Sequence, residues 1–481
     1  MQKDVFALKQ ELTAILGEKN CLFSLEDRWT YSFDASKEHF LPDAVVFPAC
    51  TEHVCAVMRY AYANRIPVAP RGAGSGLTGG AIPVKGGIVM VLERLNRILE
   101  LDTENMCAVV EPGVITAQLQ EAAAKAGLFY PPDPASRNFS TIGGNIAENA
   151  GGMRAAKYGV TKQYVLGLEV VLPDGALVTL GSKCIKDVVG YSMTELFVGS
   201  EGTFGVITKA LVRLVNLPET VKTLSVGFGS MRQAGLVVPM LLKSGAIPCA
   251  LEFMDATCLK ALRETDGIDW LQEPFHEAAQ AMLLIELDGS VEAVEREAAV
   301  VREICEQSGM LSFLSARDAS ERDKLWQARR AIHGTLMGLC PKWMEEDISV
   351  PPASIPMMLD TLQVLAAREN LRILCFGHFA DGNIHLNVSE ADSPLSLARA
   401  DFVKKEIFLE TVKLGGRIAA EHGIGFLKKE YLGLNLNDAT LHLALRIKKM
   451  LDPEGILNPG KVFPREIWDG AYRATEERRK P

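Results

Sequence analysis

Residues Gly377–Asn387, reading GHFADGNIHLN, place a histidine on each side of an Asp-Gly pair, and a second Gly-bounded loop carries Glu421 next to His422. Asp381-Gly382 has the chemistry of a two-residue hairpin turn, which predicts Ala380 opposite Asn383, Phe379 opposite Ile384 and His378 opposite His385. Directly opposed residues point to one face with Cβ atoms about 5 Å apart, so two imidazoles in that arrangement can chelate one ion. Asn387, two residues beyond His385, shares the face and can hydrogen-bond a substrate there. Two imidazoles, an acid in a loop of small residues and a third imidazole are the parts of a divalent-metal site with a base beside it.

A different chemistry is written near the N-terminus. Pro70–Gly80 reads PRGAGSGLTGG, in which Gly74, Gly76 and Gly79 satisfy GxGxxG and Glu93 stands near the distance of a ribose-binding acid. A dinucleotide-binding loop of that kind opens into a crossover helix before the next strand. Here only Ala81–Gly87, containing Pro83, Gly86 and Gly87, precedes the apolar strand run at Ile88, and no crossover helix fits. What remains is a long loop that exposes successive backbone N–H groups, the requirement for cradling a pyrophosphate, with Arg71 to add charge. Ser140–Gly152 (STIGGNIAENAGG) and Gly199–Thr208 (GSEGTFGVIT) are two further Gly-punctuated segments that let backbone approach a flat ligand closely.

The elements that must carry these loops follow from periodicity. Val5, Leu8, Leu12, Ile15 and Leu16 share a helical face that Gly17 ends. Ala44–Phe47, a helix capped by Thr51 and carrying Val54, Val57, Met58 and Ala61, and Ile66–Pro70 form a βαβ unit. Ile88–Leu92 and Cys107–Glu111 are strands, Val114–Ala126 a helix, and Leu166–Leu180 a hairpin turned by Asp174-Gly175. After Leu217-Pro218 strands alternate with long helices: strands at Leu224–Phe228, Met282–Leu287 and Arg372–Phe376, helices at Val291–Ser308, Arg322–Gly338 and Pro352–Asn370. That predicts an α+β second domain over about 218–416.

Composition removes several function classes. A net charge of −9 leaves no footprint for nucleic acid or an acidic membrane surface. Ten cysteines with no CxxC pair argue against a ferredoxin-type cluster and a zinc ribbon, and are expected to be buried reduced thiols. The charged start Met1–Asn20 is unlike a secretion signal, and the longest apolar stretch, Ala234–Leu242, is too short to span a bilayer. The expected location is cytoplasmic, with peripheral membrane contact at most. The charged tail from Pro464 reads as a solvated end.

Taken in order, PRGAGSGLTGG, PPDPAS (131–136), STIGGNIAENAGG, KYG (157–159), GSEGTFGVIT and LNPGK (457–461) resemble the vanillyl-alcohol oxidase/PCMH flavoprotein superfamily, over about Trp29–Phe463. The branch they resemble is that of GlcD-type glycolate oxidase subunits, D-lactate dehydrogenases and D-2-hydroxyglutarate dehydrogenases. The resemblance implies an α+β protein: a PCMH-type FAD-binding domain over 1–217, an α+β, ferredoxin-like substrate or cap domain over 218–416, and a C-terminal helical segment, 417–481, that returns to complete the FAD and metal site. Pro70, Arg71, Gly72, Ala73, Gly74, Ser75, Gly76 and Thr78 would hold the pyrophosphate. Asp133, Pro134, Ser136, Ser140, Thr141, Gly143, Gly144, Asn145, Ala147, Asn149, Gly151, Gly152, Tyr158 and Gly159 would line the rest of the cofactor path. Glu201, Gly202, Gly205, Ile207 and Asn458 would close over it. No His or Cys in these segments offers a covalent attachment, so FAD is expected to be non-covalent. Gly190-Tyr191-Ser192-Met193 and Met153–Ala156 depart from the family pattern.

The same resemblance assigns His378, His385 and Glu421 as metal ligands, His422 as catalytic base and Arg329 as the grip on a substrate carboxylate. Two imidazoles and one carboxylate suit zinc, with manganese or iron as alternatives. The implied reaction is oxidation of a D-2-hydroxy acid to the 2-oxo acid. His333 and Glu345 stand where the D-2-hydroxyglutarate enzymes carry Thr and Lys, which favours a small monocarboxylate such as D-lactate or glycolate, although Lys342 is nearby. The competing readings are a D-2-hydroxyglutarate dehydrogenase, a metal-independent flavin oxidase using oxygen, an electron-transfer subunit without substrate chemistry, and a zinc-stabilised binding protein. Expected partners are the 2-hydroxy acid and an external electron acceptor (an iron–sulfur subunit, an electron-transferring flavoprotein or a quinone), with a homodimer left open.

Overall fold

The computed structural model describes residues 5–265, 268–272, 278–339, 343–390 and 395–468. Cys340, Lys342 and the charged tail beyond 468 lie outside the described residues, as does the side chain of His333. The chain divides into two compact units: one runs from the N-terminus to Gly151, through Gly159–Leu217, and resumes at Glu421; the other comprises Gly152–Tyr158 and Pro218–Ala420.

The first unit holds two main sheets. In the four-stranded sheet Ala44–Val46 and Val68–Arg71 flank Ile88–Val91 as parallel neighbours, and Cys21–Leu22 pairs antiparallel on the edge. Leu8, Leu12 and Leu16 of the N-terminal helix pack with Val54, Val57 and Met58 of helix Thr51–Ala63 on one face of this sheet. The parallel pair Val68–Arg71 and Ile88–Val91 is joined by residues 72–87 without any helix, as the Pro and Gly content of that stretch predicts. A five-stranded antiparallel sheet, Ile98–Asp102, Cys107–Val110, Val206–Arg213, Val165–Val171 and Leu177–Gly181 in that spatial order, completes the unit.

Two local expectations are corrected. Cys50, not Thr51, is the helix cap; Thr51 is the first helical residue and its hydroxyl donates to Glu169 at 2.9 Å. The hairpin at Asp174-Gly175 turns through three residues rather than two: Leu172 N–H donates to Ala176 O (2.8 Å), leaving Pro173, Asp174 and Gly175 in the loop with Gly175 at φ +83°. Type I turns followed by a left-handed residue have this form.

The C-terminal segment is built into the first unit rather than appended to it. Val68 N–H donates to Ile456 O (2.8 Å) and Asn458 N–H to Val68 O (2.7 Å), so residues 456–458 extend the parallel edge. The buried Lys448, on helix Asp438–Leu451, donates to Thr203 O (2.6 Å), Leu457 O (2.9 Å) and the Asp452 carboxylate (2.5 Å). Asp452 is fully buried and also receives Ile456 and Leu457 N–H.

The second unit is one seven-stranded antiparallel sheet in the order Met310–Ser315, Thr220–Phe228, Ala281–Gly289, Ala250–Asp255, Leu371–His378, Asn383–Glu390, Met344–Ser349. Consecutive residues of Ala250–Asp255 are all buried, which requires cover on both faces. Helices Ala256–Arg263 and Ala319–Leu339 bury Ala250, Met254, Met282, Leu284 and Leu374. Helices Met231–Ser244, Val291–Gln307 and Ile355–Glu369 also pack against the sheet. Among the described residues no helix is long and apolar enough to cross a membrane.

Removing one partner of a buried ion pair leaves an uncompensated charge. Lys448→Met is therefore expected to lower the unfolding free energy by about 3–5 kcal/mol, read from the urea midpoint of the full chain. A loss under about 1 kcal/mol, the range of exposed pairs, would show that the pair does not anchor the C-terminal segment.

Candidate active site

Within the first unit an open cleft of about 230 Å³ lies among the Gly-rich loops. Of the residues expected to hold the cofactor, Pro70–Gly76, Pro134, Ser136, Ser140, Thr141, Gly143–Asn145, Ala147, Gly151, Glu201, Gly202, Gly205 and Ile207 line it, and Glu421 and His422 stand on its wall. Glycines recur along the walls, and several polar side chains there are committed elsewhere. Asn145 donates to Thr116 Oγ1 (2.7 Å), and Ser140 Oγ shares a hydrogen bond with the same hydroxyl (2.9 Å). At Gly143 a Cβ would stand 2.5 Å from Pro112 Cβ, so only glycine lets this helix start so close to the cleft floor.

Other expected cofactor residues do not line the cleft but brace it. Thr78 donates its hydroxyl to His422 O (2.8 Å), and its own carbonyl accepts Phe426 N–H (2.8 Å), fixing the loop that carries the Glu421-His422 pair. Glu201, itself a wall residue, clamps the same loop by accepting Ile424 and Gly425 N–H at 2.9 and 2.6 Å. Asn458 donates to Gly80 O (3.0 Å) and Glu201 O (2.7 Å) and accepts from Lys461 (2.6 Å). Asp133 pairs with Arg137 (2.8 Å), and Asn149 ends helix Ile142–Glu148 in a left-handed conformation. Gly159 is a positive-φ turn residue. Gly152 and Tyr158 belong to the second unit, where the Tyr158 hydroxyl donates to Asp288 (2.7 Å).

Glu148, Glu201 and Lys461 form a buried cluster at the cleft. Burial and the neighbouring Glu201 push the Glu148 carboxyl well up, and burial raises Glu201 against the pull of its two N–H donors and Lys461. Burial brings Lys461 down to about 7, although Asp34, Glu148 and Glu201 oppose it. Glu148 Oε2 finds no hydrogen-bond partner among the described protein groups, an orphaned polar atom on the wall of the cleft.

In the second unit His378 and His385 project from one face of the sheet, their rings 5.2 Å apart between centroids and perpendicular at 89°. The register differs from the expected one. Phe376, not His378, pairs with His385, so the two histidines are diagonal neighbours. The cause lies in the loop: Phe379 N–H donates to Leu251 O (2.9 Å), and Gly382 N–H closes a turn on Phe379 O (3.2 Å), which spends four residues where two were expected. Gly377 permits the approach, with φ +142° and a hypothetical Cβ 3.2 Å from the His385 ring. Diagonal neighbours on one face remain within reach of long side chains.

His378 Nδ1 lies 2.6 Å from a Glu252 oxygen, and the other Glu252 oxygen receives Arg329 Nε. Burial pushes the Glu252 carboxyl up, but the charges and hydrogen bonds of His378 and Arg329 outweigh it and hold it at about 2. An ionised Glu252 makes Nδ1 the proton-bearing nitrogen of His378 and Nε2 its unprotonated one. The Arg329 guanidinium stacks over Phe376 at 5.3 Å, and the Phe376 ring meets His385 at 5.4 Å. Asn387 is buried on the same face, opposite Glu345, and Asp347 lies opposite His385.

Sequence reasoning missed Glu252, Glu148 and Lys461. The signal for Glu252 was available: an acid inside ALEFM, a run otherwise too apolar to have a solvent face. Glu148 and Lys461 sit inside motifs whose glycines and asparagine drew the attention.

Residues 42–181 match the family described as "FAD binding domain", and residues 217–462 match "FAD linked oxidases, C-terminal domain". The chain is 40% identical to the glycolate oxidase subunit GlcD of Bacillus subtilis (strain 168) over 99% of both chains. It is 34% identical to a D-lactate dehydrogenase of Anaerostipes hadrus, covering 88% of this chain and 89% of the relative. It is 33% identical to the D-2-hydroxyglutarate dehydrogenase of Stutzerimonas stutzeri (strain A1501), covering 95% and 99%. The fold is that of p-cresol methylhydroxylase, with a TM-score of 0.79 at 19% identity over 96% of this chain and 97% of that one. A Gly-lined cleft, PCMH-type architecture and whole-length identity to these enzymes agree: the chain belongs to the FAD-linked oxidases and is an FAD-linked oxidoreductase.

Proposed function

We propose that this enzyme oxidises a small D-2-hydroxy acid, of the D-lactate or glycolate type, to the 2-oxo acid, using non-covalent FAD and a divalent metal. The observation that carries the metal is the perpendicular pair His378 and His385, one of them anchored through Nδ1 by a buried carboxylate. Metal-binding histidines commonly have their second nitrogen held this way. His378, His385 and Glu421 would hold the ion; two nitrogens and an oxygen suit zinc, with manganese or iron as alternatives. The metal would supply Lewis acidity toward the substrate hydroxyl, and FAD would accept the hydride equivalent from C2. The Gly-lined cleft and the orphaned Glu148 oxygen fit a flat ligand that carries its own hydrogen-bonding groups.

The chain's own residues do the rest. Arg329 and Asn387 orient the acid, the first through charge and the second through its amide. His422, held by the Thr78 contact to its carbonyl, takes the hydroxyl proton. Glu345, opposite Asn387, puts a carboxylate beside the substrate face, which disfavours an acid with a second distal carboxylate and argues against D-2-hydroxyglutarate. Electrons then leave to an external acceptor, an iron–sulfur subunit, an electron-transferring flavoprotein or a quinone. On this reading 1–217 serves FAD, 218–416 the substrate, and 417–481 supplies Glu421 and the base, in a cytoplasmic enzyme.

Mixing the flavin-loaded protein anaerobically with D-lactate or glycolate is expected to bleach the flavin, and prior removal of divalent metal with a chelator to abolish bleaching until zinc or manganese is returned. Bleaching that survives chelation would hand the assignment to a metal-independent oxidase. His422→Asn is expected to retain FAD while bleaching slows by about 10²–10⁴-fold, the usual worth of a general base. Retention of the wild-type rate would remove His422 from the reaction.

A further inference from the structure

The Glu252 carboxylate is fully buried in a strand whose same-face neighbours, Ala250 and Met254, are apolar. Replacing a buried ion pair by apolar residues often costs nothing or stabilises. An acid at this position therefore calls for a reason beyond packing. Satisfying Arg329 alone would occupy one oxygen, but the second oxygen lies 2.6 Å from His378 Nδ1, directly across the strand pair. One strand over, on the same face, Glu286 provides an internal contrast. It is also buried and also meets an arginine, but its partners are Arg322 (3.0 Å), Trp326 Nε1 (2.6 Å) and Thr223 Oγ1 (2.8 Å), with no imidazole among them. Glu286 pins a helix to the sheet. Glu252 pins a ring.

We infer that Glu252 is a positioning residue for metal binding: its carboxylate fixes the tautomer and the plane of His378 while Arg329 serves as its counter-charge. The inference rests on the proposed role of His378 as a ligand and deepens it. A carboxylate behind a ligating imidazole raises the basicity of the ligand nitrogen and removes the entropy of ring rotation before the ion arrives. The same carboxylate holds Arg329 over Phe376, whose other contact is the His385 ring, so both imidazoles are braced from residues on one face.

The test is zinc affinity of the full-length, FAD-loaded protein, measured by competition with a chromogenic chelator, with flavin absorbance per chain as the measure of folding. Glu252→Gln is isosteric and is expected to weaken zinc binding about 10–100-fold, the usual effect of losing such a partner, at unchanged flavin content. Glu252→Asp is expected to recover part of the loss, and Glu286→Gln to keep wild-type zinc affinity. Wild-type affinity in Glu252→Gln, or an equal loss in Glu286→Gln, would overturn the inference. Absence of binding of zinc, manganese and ferrous iron by the wild type would instead remove the metal from the proposed function, and the inference with it.

Discussion

An ionised carboxylate inside a sheet must be met by donors or it will not be tolerated, and this requirement organises the second unit. Glu252, Glu286 and Asp288 lie on one face of adjacent strands, and each has drawn cations and donors to it. Arg329 and Arg322 come from the long helix Ala319–Leu339, and Lys157 with Tyr158 from the segment Gly152–Tyr158. The helix is thus set on the sheet by charge as well as by Leu325, Trp326 and Ile332. The positions of Arg329 and His378 are consequences of where the acid sits.

The first unit solves a different problem. Its cleft lies among Gly-rich loops, and such loops need to be held by something other than the ligand. Thr78, Glu201, Asn458 and Lys461 do this, each bonding main-chain groups of a different segment. Residues that sequence motifs associate with a cofactor are therefore of two kinds here. Some face the cleft, others keep the facing ones in place, and Glu201 does both.

Much of this was legible in the residues. Period and turn chemistry locate the strands and helices around the Gly-rich loop, and the Pro and Gly content of Ala81–Gly87 excludes a Rossmann crossover. The pairing of the two histidines was legible in kind but not in register. Asp381-Gly382 suits a two-residue turn, yet Phe379 is claimed by the neighbouring strand through Leu251, a tertiary bond that no local pattern reports. Glu252 was overlooked for a related reason. Nothing within ALEFM says which imidazole lies across from its acid, because strand order in an antiparallel sheet is set by elements more than a hundred residues apart.

The residues that complete the cleft come from opposite ends of the sequence. The strand edge at Val68 is completed by Ile456–Asn458, and the wall by Glu421 and His422, after some two hundred residues of the other unit have been translated. The Gly-rich loop beside Val68 is therefore present in the growing chain long before the segment that borders it. Closure of that edge is consequently a late step in the assembly of the unit, reached only when two segments almost four hundred residues apart have met.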